Sequence, residues 1–172
     1  MIEAGIECVI HKMCLLWQKY AQEEDWVFLL VDSKNVFNKE NRMKMLWDIW
    51  YKCPSDAQFT FKCCHHWDTL VVRDTGVSGH FFYSKEGMTQ GDSLSIIAYI
   101  IGIFSITHKL HNTQPQVTQT WYSDDAGGGG HFANLCAQLK DLMASGSLRG
   151  YSPEPTNVIL VVSAQNVLRA EA

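Results

Sequence analysis

The sequence predicts an α+β domain, a sheet of short strands with helices packed on one face. Segments with apolar residues at helical spacing are interspersed with short apolar runs rich in β-formers. Their order is helix, strand, helices, hairpin, helix, strand–turn–strand, helix, strand, without an internal repeat or a linker. A length of 172 residues, with 47% hydrophobic and 19% charged, suits one domain with a sizeable core and argues against wholesale disorder.

Each element has its own signal. Ile6, Val9, Ile10, Met13, Leu16, Trp17 and Tyr20 make residues 5 to 20 an amphipathic helix, stopped by Glu23-Glu24-Asp25. Trp26 to Val31 is a continuous apolar run, the pattern of a strand buried on both faces, and it ends on Asp32. Asn38 or Asn41 caps a helix carrying Met45, Leu46, Ile49 and Trp50, which ends before Pro54. Residues 57 to 67 are ambiguous and are assigned to helix. Leu70-Val71-Val72 and Phe81-Phe82-Tyr83 flank a glycine-containing turn and read as a hairpin. Gly87 to Ser95 is a polar loop leading into a buried helix over 94–106. Val117 to Tyr122 reads as a strand, followed by Asp124-Asp125 and Gly127 to Gly130. Phe132, Leu135, Cys136, Leu139, Leu142 and Met143 form one helical stripe, and Val158 to Val162 a last buried strand.

Composition narrows the function. With 14 Lys+Arg against 18 Asp+Glu the formal charge is −4, which excludes a globally basic nucleic-acid coat while leaving room for a local basic groove. Six irregularly spaced cysteines and no signal-peptide start predict a reducing, intracellular setting. The longest apolar stretch, Leu94 to Ile106, falls short of the roughly 20 residues a membrane span needs, so no membrane is expected. Cys63-Cys64-His65-His66 suggests zinc, but adjacent ligands do not easily close one tetrahedron, and packing on a partly buried helix is the better reading. Neither a GxxxxGK[ST] loop nor a GxSxG elbow is present.

Asp124-Asp125 needs explaining. Adjacent carboxylates raise each other's pKa, and a divalent cation removes that penalty. Taken alone, the pair beside a glycine run is an ordinary turn. A third carboxylate, Asp32, also stands where an apolar strand ends. If the two strands are neighbours, three carboxylates converge on one sheet edge, a layout for two hard cations about 3.5–4 Å apart.

These residues also resemble a family. Val31-Asp32-Ser33-Lys34-Asn35-Val36-Phe37-Asn38 is similar to the first catalytic motif of reverse transcriptases, an Asp followed five residues later by an aromatic. The segment from Ser84 to Ser95, with Gln90-Gly91, resembles their Gln-Gly motif, and Tyr122-Ser123-Asp124-Asp125 their Tyr-x-Asp-Asp box. Gly150 to Asn157 stands where a later motif usually ends in lysine. All four occur in order over roughly residues 22 to 168, most like the polymerase domains of eukaryotic retrotransposons.

The resemblance implies a polymerase palm, an antiparallel sheet with packed helices plus part of the fingers, over residues 1–172 and lacking a thumb. It implies RNA-directed DNA synthesis, with an RNA template, a DNA primer and dNTP as partners, and Mg²⁺ (or Mn²⁺) as cofactor. Asp32, Asp124 and Asp125 would be the catalytic, metal-holding carboxylates, Asp125 the weaker ligand. Phe37 would lie under the incoming sugar, Gln90 and Gly91 would line the nucleotide pocket, and Tyr122 would pack near the primer end. Arg73 and Lys85, with Lys34, Lys39, Arg42 and Lys44, are candidates for phosphate contacts, a solvated face being the plainer alternative.

The sequence departs from the family at Asn157 in the lysine position, Ser93 in place of a common proline, and four glycines expected to weaken the returning strand. Relatives carry more finger residues upstream and a primer grip and thumb downstream, so a fragment or a decaying copy is expected; flanking retroelement domains are candidate partners that the sequence does not decide. Two other readings stand beside the polymerase: an inactive remnant that binds nucleic acid or a protein partner, and a metal-dependent nuclease.

Overall fold

The structure is a computed structural model and describes residues 5–73, 79–89, 94–164 and 167. Among them, in chain order, are α1 (Gly5–Tyr20), β1 (Trp26–Ser33), α2 (Val36–Lys39), α3 (Arg42–Lys52), α4 (Pro54–Cys64), β2 (Asp68–Arg73), β3 (Gly79–Ser84), α5 (Ser95–Thr113), β4 (Thr118–Tyr122), β5 (Asp125–His131), α6 (Phe132–Ser147) and β6 (Pro153–Val161). They form two compact units. One holds residues 1–34, 106–147 and 152–172, the other 35–105 and 148–151.

The first unit is built on a sheet of order β4-β5-β1-β6, antiparallel throughout. In β1 the pleat sends Trp26, Phe28, Leu30 and Asp32 to one face and Val27, Leu29 and Val31 to the other. α6 covers the second face, where its Leu135 packs with Val27, Val117, Leu29 and Leu160. The other face carries α1, whose Trp17 stacks on Phe28 at 5.9 Å between ring centroids and tilts against Trp26 at 6.3 Å. The sequence suggests helices on one face only. The sheet has one on each, because β1 is apolar on both. Burying Val27, Phe28 and Val31 fully stabilises the strand by about 1.5–3 kcal/mol per side chain.

The glycine run does not break the returning strand. β5 pairs continuously with β1 from Trp26↔His131 to Val31↔Ala126, and with β4 on its other side. Its missing side chains leave room that larger neighbours fill: a Cβ on Gly129 would stand 2.8 Å from the Phe28 ring and 3.0 Å from that of Trp26. β6 begins earlier than its apolar run predicts and includes Pro153 and Pro155, which an edge strand tolerates because it has ladder partners on one side only.

In the second unit α3 and α4 pack a core of Met45, Leu46, Ile49, Ala57, Cys64, Met88 and Ala98. Asn41, not Asn38, caps α3, its side chain accepting from the Lys44 amide at 3.0 Å. The ambiguous stretch is α4, started by Pro54 in its first turn. The predicted hairpin is β2–β3, paired Asp68↔Ser84 to Arg73↔Gly79 and exposed along nearly its whole length. α5, whose residues 95–105 belong to this unit and 106–113 to the first, departs from its prediction. It runs on to Thr113 because Ile103, Ile106 and Leu110 continue the buried stripe, and Ile96, Ile97, Ile100 and Phe104 are exposed, so it is amphipathic rather than buried all round. Among the described residues no helix is long and apolar enough to cross a membrane.

Arg42 organises this unit from inside. Its Nε donates to Gly87 O at 2.8 Å, one Nη to His66 O (2.7 Å) and Ser84 O (3.2 Å), the other to Ser84 Oγ (3.0 Å) and Glu86 O (3.1 Å). All five guanidinium donors are thereby engaged. Gly87 and Gly150 adopt positive φ (67° and 82°), and a Cβ on either would collide with the backbone of residues 37–40. Glu40 is buried nearby, and burial pushes its carboxyl up to about 8, against the pull of Arg149 and with a further push from Asp48. Arg149 itself pairs with Asp48 and donates to Gly102 O at 2.9 Å.

Candidate active site

The sheet register builds the site. Val31 pairs with Ala126 and Val158, so the next step toward the strand end brings Asp125 and Asn157 to either side of Asp32. Tyr122 pairs with Asp125 across the turn. Tyr122, Asp125, Asp32 and Asn157 thus form one row across all four strands, on the face that carries α1. A register shift between Val31 and Ser33 falls at Asp32, the kind of irregularity that re-aims a strand residue.

Asp124 sits in the two-residue turn behind Ser123, which takes the left-handed conformation at φ 51°. Burial raises the Asp125 carboxyl above the usual range, and the neighbouring charges of Asp124 and Asp32 raise it further. Asn157 donates from Nδ2 to Asp32 Oδ2 at 2.7 Å. Among the described residues neither Asp32 nor Asp125 makes an ion pair.

A cavity of about 280 Å³ opens under this row, walled by Leu30, Thr120, Gly127 and Ile159 from the sheet and by α1 from above. A larger cavity of about 430 Å³ in the second unit is lined by Met43, Leu46, Trp47, Trp50 and Phe61 with Lys44, and among the described residues no carboxylate lines it. Chemistry therefore favours the smaller one.

The other sequence candidates are not members of this row. Phe37, Arg73 and Lys85 are residues of the second unit. Phe37 packs on Tyr99 at 4.9 Å, and its carbonyl accepts from the Met88 amide at 2.6 Å. Lys85 Nζ lies 4.4 Å over the Trp67 ring, and Arg73 is exposed at the end of β2. Gln90 and Gly91 lie outside the described residues. Among the proposed phosphate contacts, Arg42 is excluded because its donors are consumed, while Lys34 pairs with Glu154 at 3.4 Å and Lys44 donates to Leu148 O at 2.9 Å. The Asn157–Asp32 bond is the feature sequence reasoning missed. The signal was there in the parity of two strands, but only their register joins them.

Among the described residues no three His, Cys, Asp or Glu side chains stand close enough to hold a metal ion by themselves. Magnesium needs only one or two protein carboxylates when waters and phosphate oxygens complete its shell. Repelling carboxylates in one row fit such a hard cation.

No protein-family model and no curated protein matches the chain. Solved structures do. Telomerase from Candida albicans, in complex with a TWJ fragment of telomeric RNA, superposes with a TM-score of 0.67 over 95% of this chain at 13% identity. The chain shares its fold with telomerase. Apo telomerase from Candida tropicalis gives 0.67 over 92% at 13% identity, and a form truncated from its C-terminal domain 0.65 over 93% at 16%. The chain spans about a third of those telomerases, 32% of the first two and 35% of the third. The α+β sheet with packed helices is therefore a fold shared with part of these telomerases, in agreement with the fold class the sequence predicts.

Proposed function

We propose that this chain is the palm, with part of the fingers, of an RNA-directed DNA polymerase of the retrotransposon type, and that its site is the row on the sheet. The observation that carries the reading is Asp32 beside Asp125 on adjacent central strands, with Asp124 in the intervening turn. Asp32, Asp124 and Asp125 would hold Mg²⁺ or Mn²⁺, and the bound cations would neutralise the triphosphate and activate a primer 3′-hydroxyl for in-line displacement. The chain's own part is positioning. The central strands fix Asp32 and Asp125, Asn157 restrains one Asp32 oxygen, and Tyr122 stands at the end of the row for the primer terminus. Phe37, Gln90 and Gly91 would serve the incoming dNTP. Neighbours solved with a fragment of telomeric RNA support a nucleic-acid partner, and an RNA template is our reading of it.

Primer extension on an RNA template tests this, with Mg²⁺, with EDTA, and with Asp124→Ala. Metal-dependent lengthening that the substitution abolishes, in a chain that stays folded, is expected. Undiminished extension by Asp124→Ala would sink the assignment.

A second reading, an inactive derivative that binds nucleic acid or a partner, draws on Asn157. Where related motifs usually end in lysine, this chain has a neutral amide bonded to Asp32 instead of a cation free to meet a leaving pyrophosphate. Nucleic-acid binding with no extension in any lane would favour it.

A further inference from the structure

The site face is the face on which α1 lies. The α1 stripe Val9, Met13, Leu16, Trp17 and Tyr20 is its half-buried side, and the helix has no fully buried residue. Its two halves are held differently. Trp17 and Tyr20 in the C-terminal half stack with Trp26 and Phe28, Tyr20 at 5.4 Å from Trp26. The N-terminal half reaches over the cavity, where Val9 and Met13 face a space that also touches Asp32, Tyr122, Asp125 and Asn157. There Lys12 Nζ donates to Gln119 O at 3.1 Å, an exposed bond, and Ile10 remains 52% exposed. One half is an aromatic anchor. The other rests over a void, with little burial to hold it down.

We propose that the N-terminal half of α1 is an intramolecular cover, and that α1 and a primer–template compete for this one face of the sheet. The inference rests on the polymerase reading above, since it takes the row as the place where a primer end must arrive. Seated as here, α1 roofs the space above Leu30, Gly127 and Ile159 and blocks the way that a nucleic-acid strand approaching the row would cross. A duplex therefore binds only the lifted state, and its apparent affinity falls by the fraction of molecules in that state. The aromatic anchor lets the helix lift without leaving the chain's core.

The double substitution Val9→Glu/Met13→Glu puts two carboxylates into the apolar space facing Asp32 and Asp125, and should unseat the cover. Anisotropy of a labelled primer–template should give a dissociation constant at least about tenfold lower than for the unsubstituted chain. Hydrogen exchange should be faster in residues 6–13 and unchanged in β1. Equal affinities, or binding by neither chain, with β1 protected in both, would overturn the cover. Tighter binding by the variant with no extension by either chain would instead overturn the catalytic reading and leave the cover standing. As a second route, Met13→Cys/Ile159→Cys, with Cys8 and Cys14 changed to serine, can be bridged by a thiol-cleavable cross-linker. Loss of primer–template binding on bridging, restored on cleavage, supports the cover. Failure of the 13–159 bridge to form, or binding unaffected by it, contradicts the proposal.

Discussion

In the second unit Arg42 lies in the interior with each of its donors on an oxygen, and Glu40 lies buried with its carboxyl raised to about 8. In the first unit Asp32 and Asp125 stand side by side across two strands, with no cation paired to either among the described residues. The second unit spends polar residues where burial makes them costly, the first where carboxylates crowd one another at a solvent-accessible sheet edge. In the second, Arg42 meets oxygens that the chain supplies, while Glu40, with one carboxyl oxygen lacking a hydrogen-bond partner among the described residues, is pushed by burial toward its neutral form. The first leaves the charge uncompensated, which is what a site for an external cation requires.

The comparison predicts that the large stability effects lie in the second unit. Arg42→Met should destabilise it by about 3–5 kcal/mol, because five oxygens lose their donor, and hydrogen exchange should accelerate in α3 and β3 with β1 unaffected. A loss comparable to that of a surface lysine would remove Arg42 from the centre of this account.

Next in size is a pH effect at Glu40. Its folded pKa of about 8 exceeds the ordinary 4.5, so its contribution is full below about pH 4.5 and is lost as pH rises through about 8. Unfolding midpoints between those limits should fall with pH. Glu40→Gln should flatten that slope, and an unchanged slope would mean that some other group carries it.

The smallest effect belongs to the first unit and has the opposite sign. Asp125→Asn removes one member of a repelling set and should raise stability at neutral pH, by no more than about 1 kcal/mol because solvent screens a carboxylate this exposed. Thermal melts without divalent cation read this directly. A destabilised variant would place Asp125 among the structural groups.

Much of this contrast was legible in the sequence on one side only. Asp32 at a strand end and Asp124-Asp125 beside glycines stand out because carboxylates interrupt apolar runs, and two neighbouring strands suffice to join them. Arg42 looked like one more cation in a basic run. Nothing local distinguishes a guanidinium that meets the carbonyls of residues 66, 84, 86 and 87, since those contacts are made by the chain's return. The glycine run was legible as a liability but not as a fit, because Phe28 and Trp26 reach Gly129 only across the ladder. The position of α1 was half legible: its stripe predicted burial, but which face it takes is decided by Trp17 meeting Phe28.

The row at the end of the sheet is proposed to hold a hard divalent cation. Iron-directed cleavage tests it without requiring turnover. Fe²⁺ substituted for Mg²⁺ with ascorbate and peroxide should cut the chain near residue 32 and near residues 124–125, and excess Mg²⁺ or the substitution Asp32→Asn should suppress both cuts together. Cleavage confined to other segments, or cuts at these two indifferent to Mg²⁺ and to Asp32→Asn, would contradict the account.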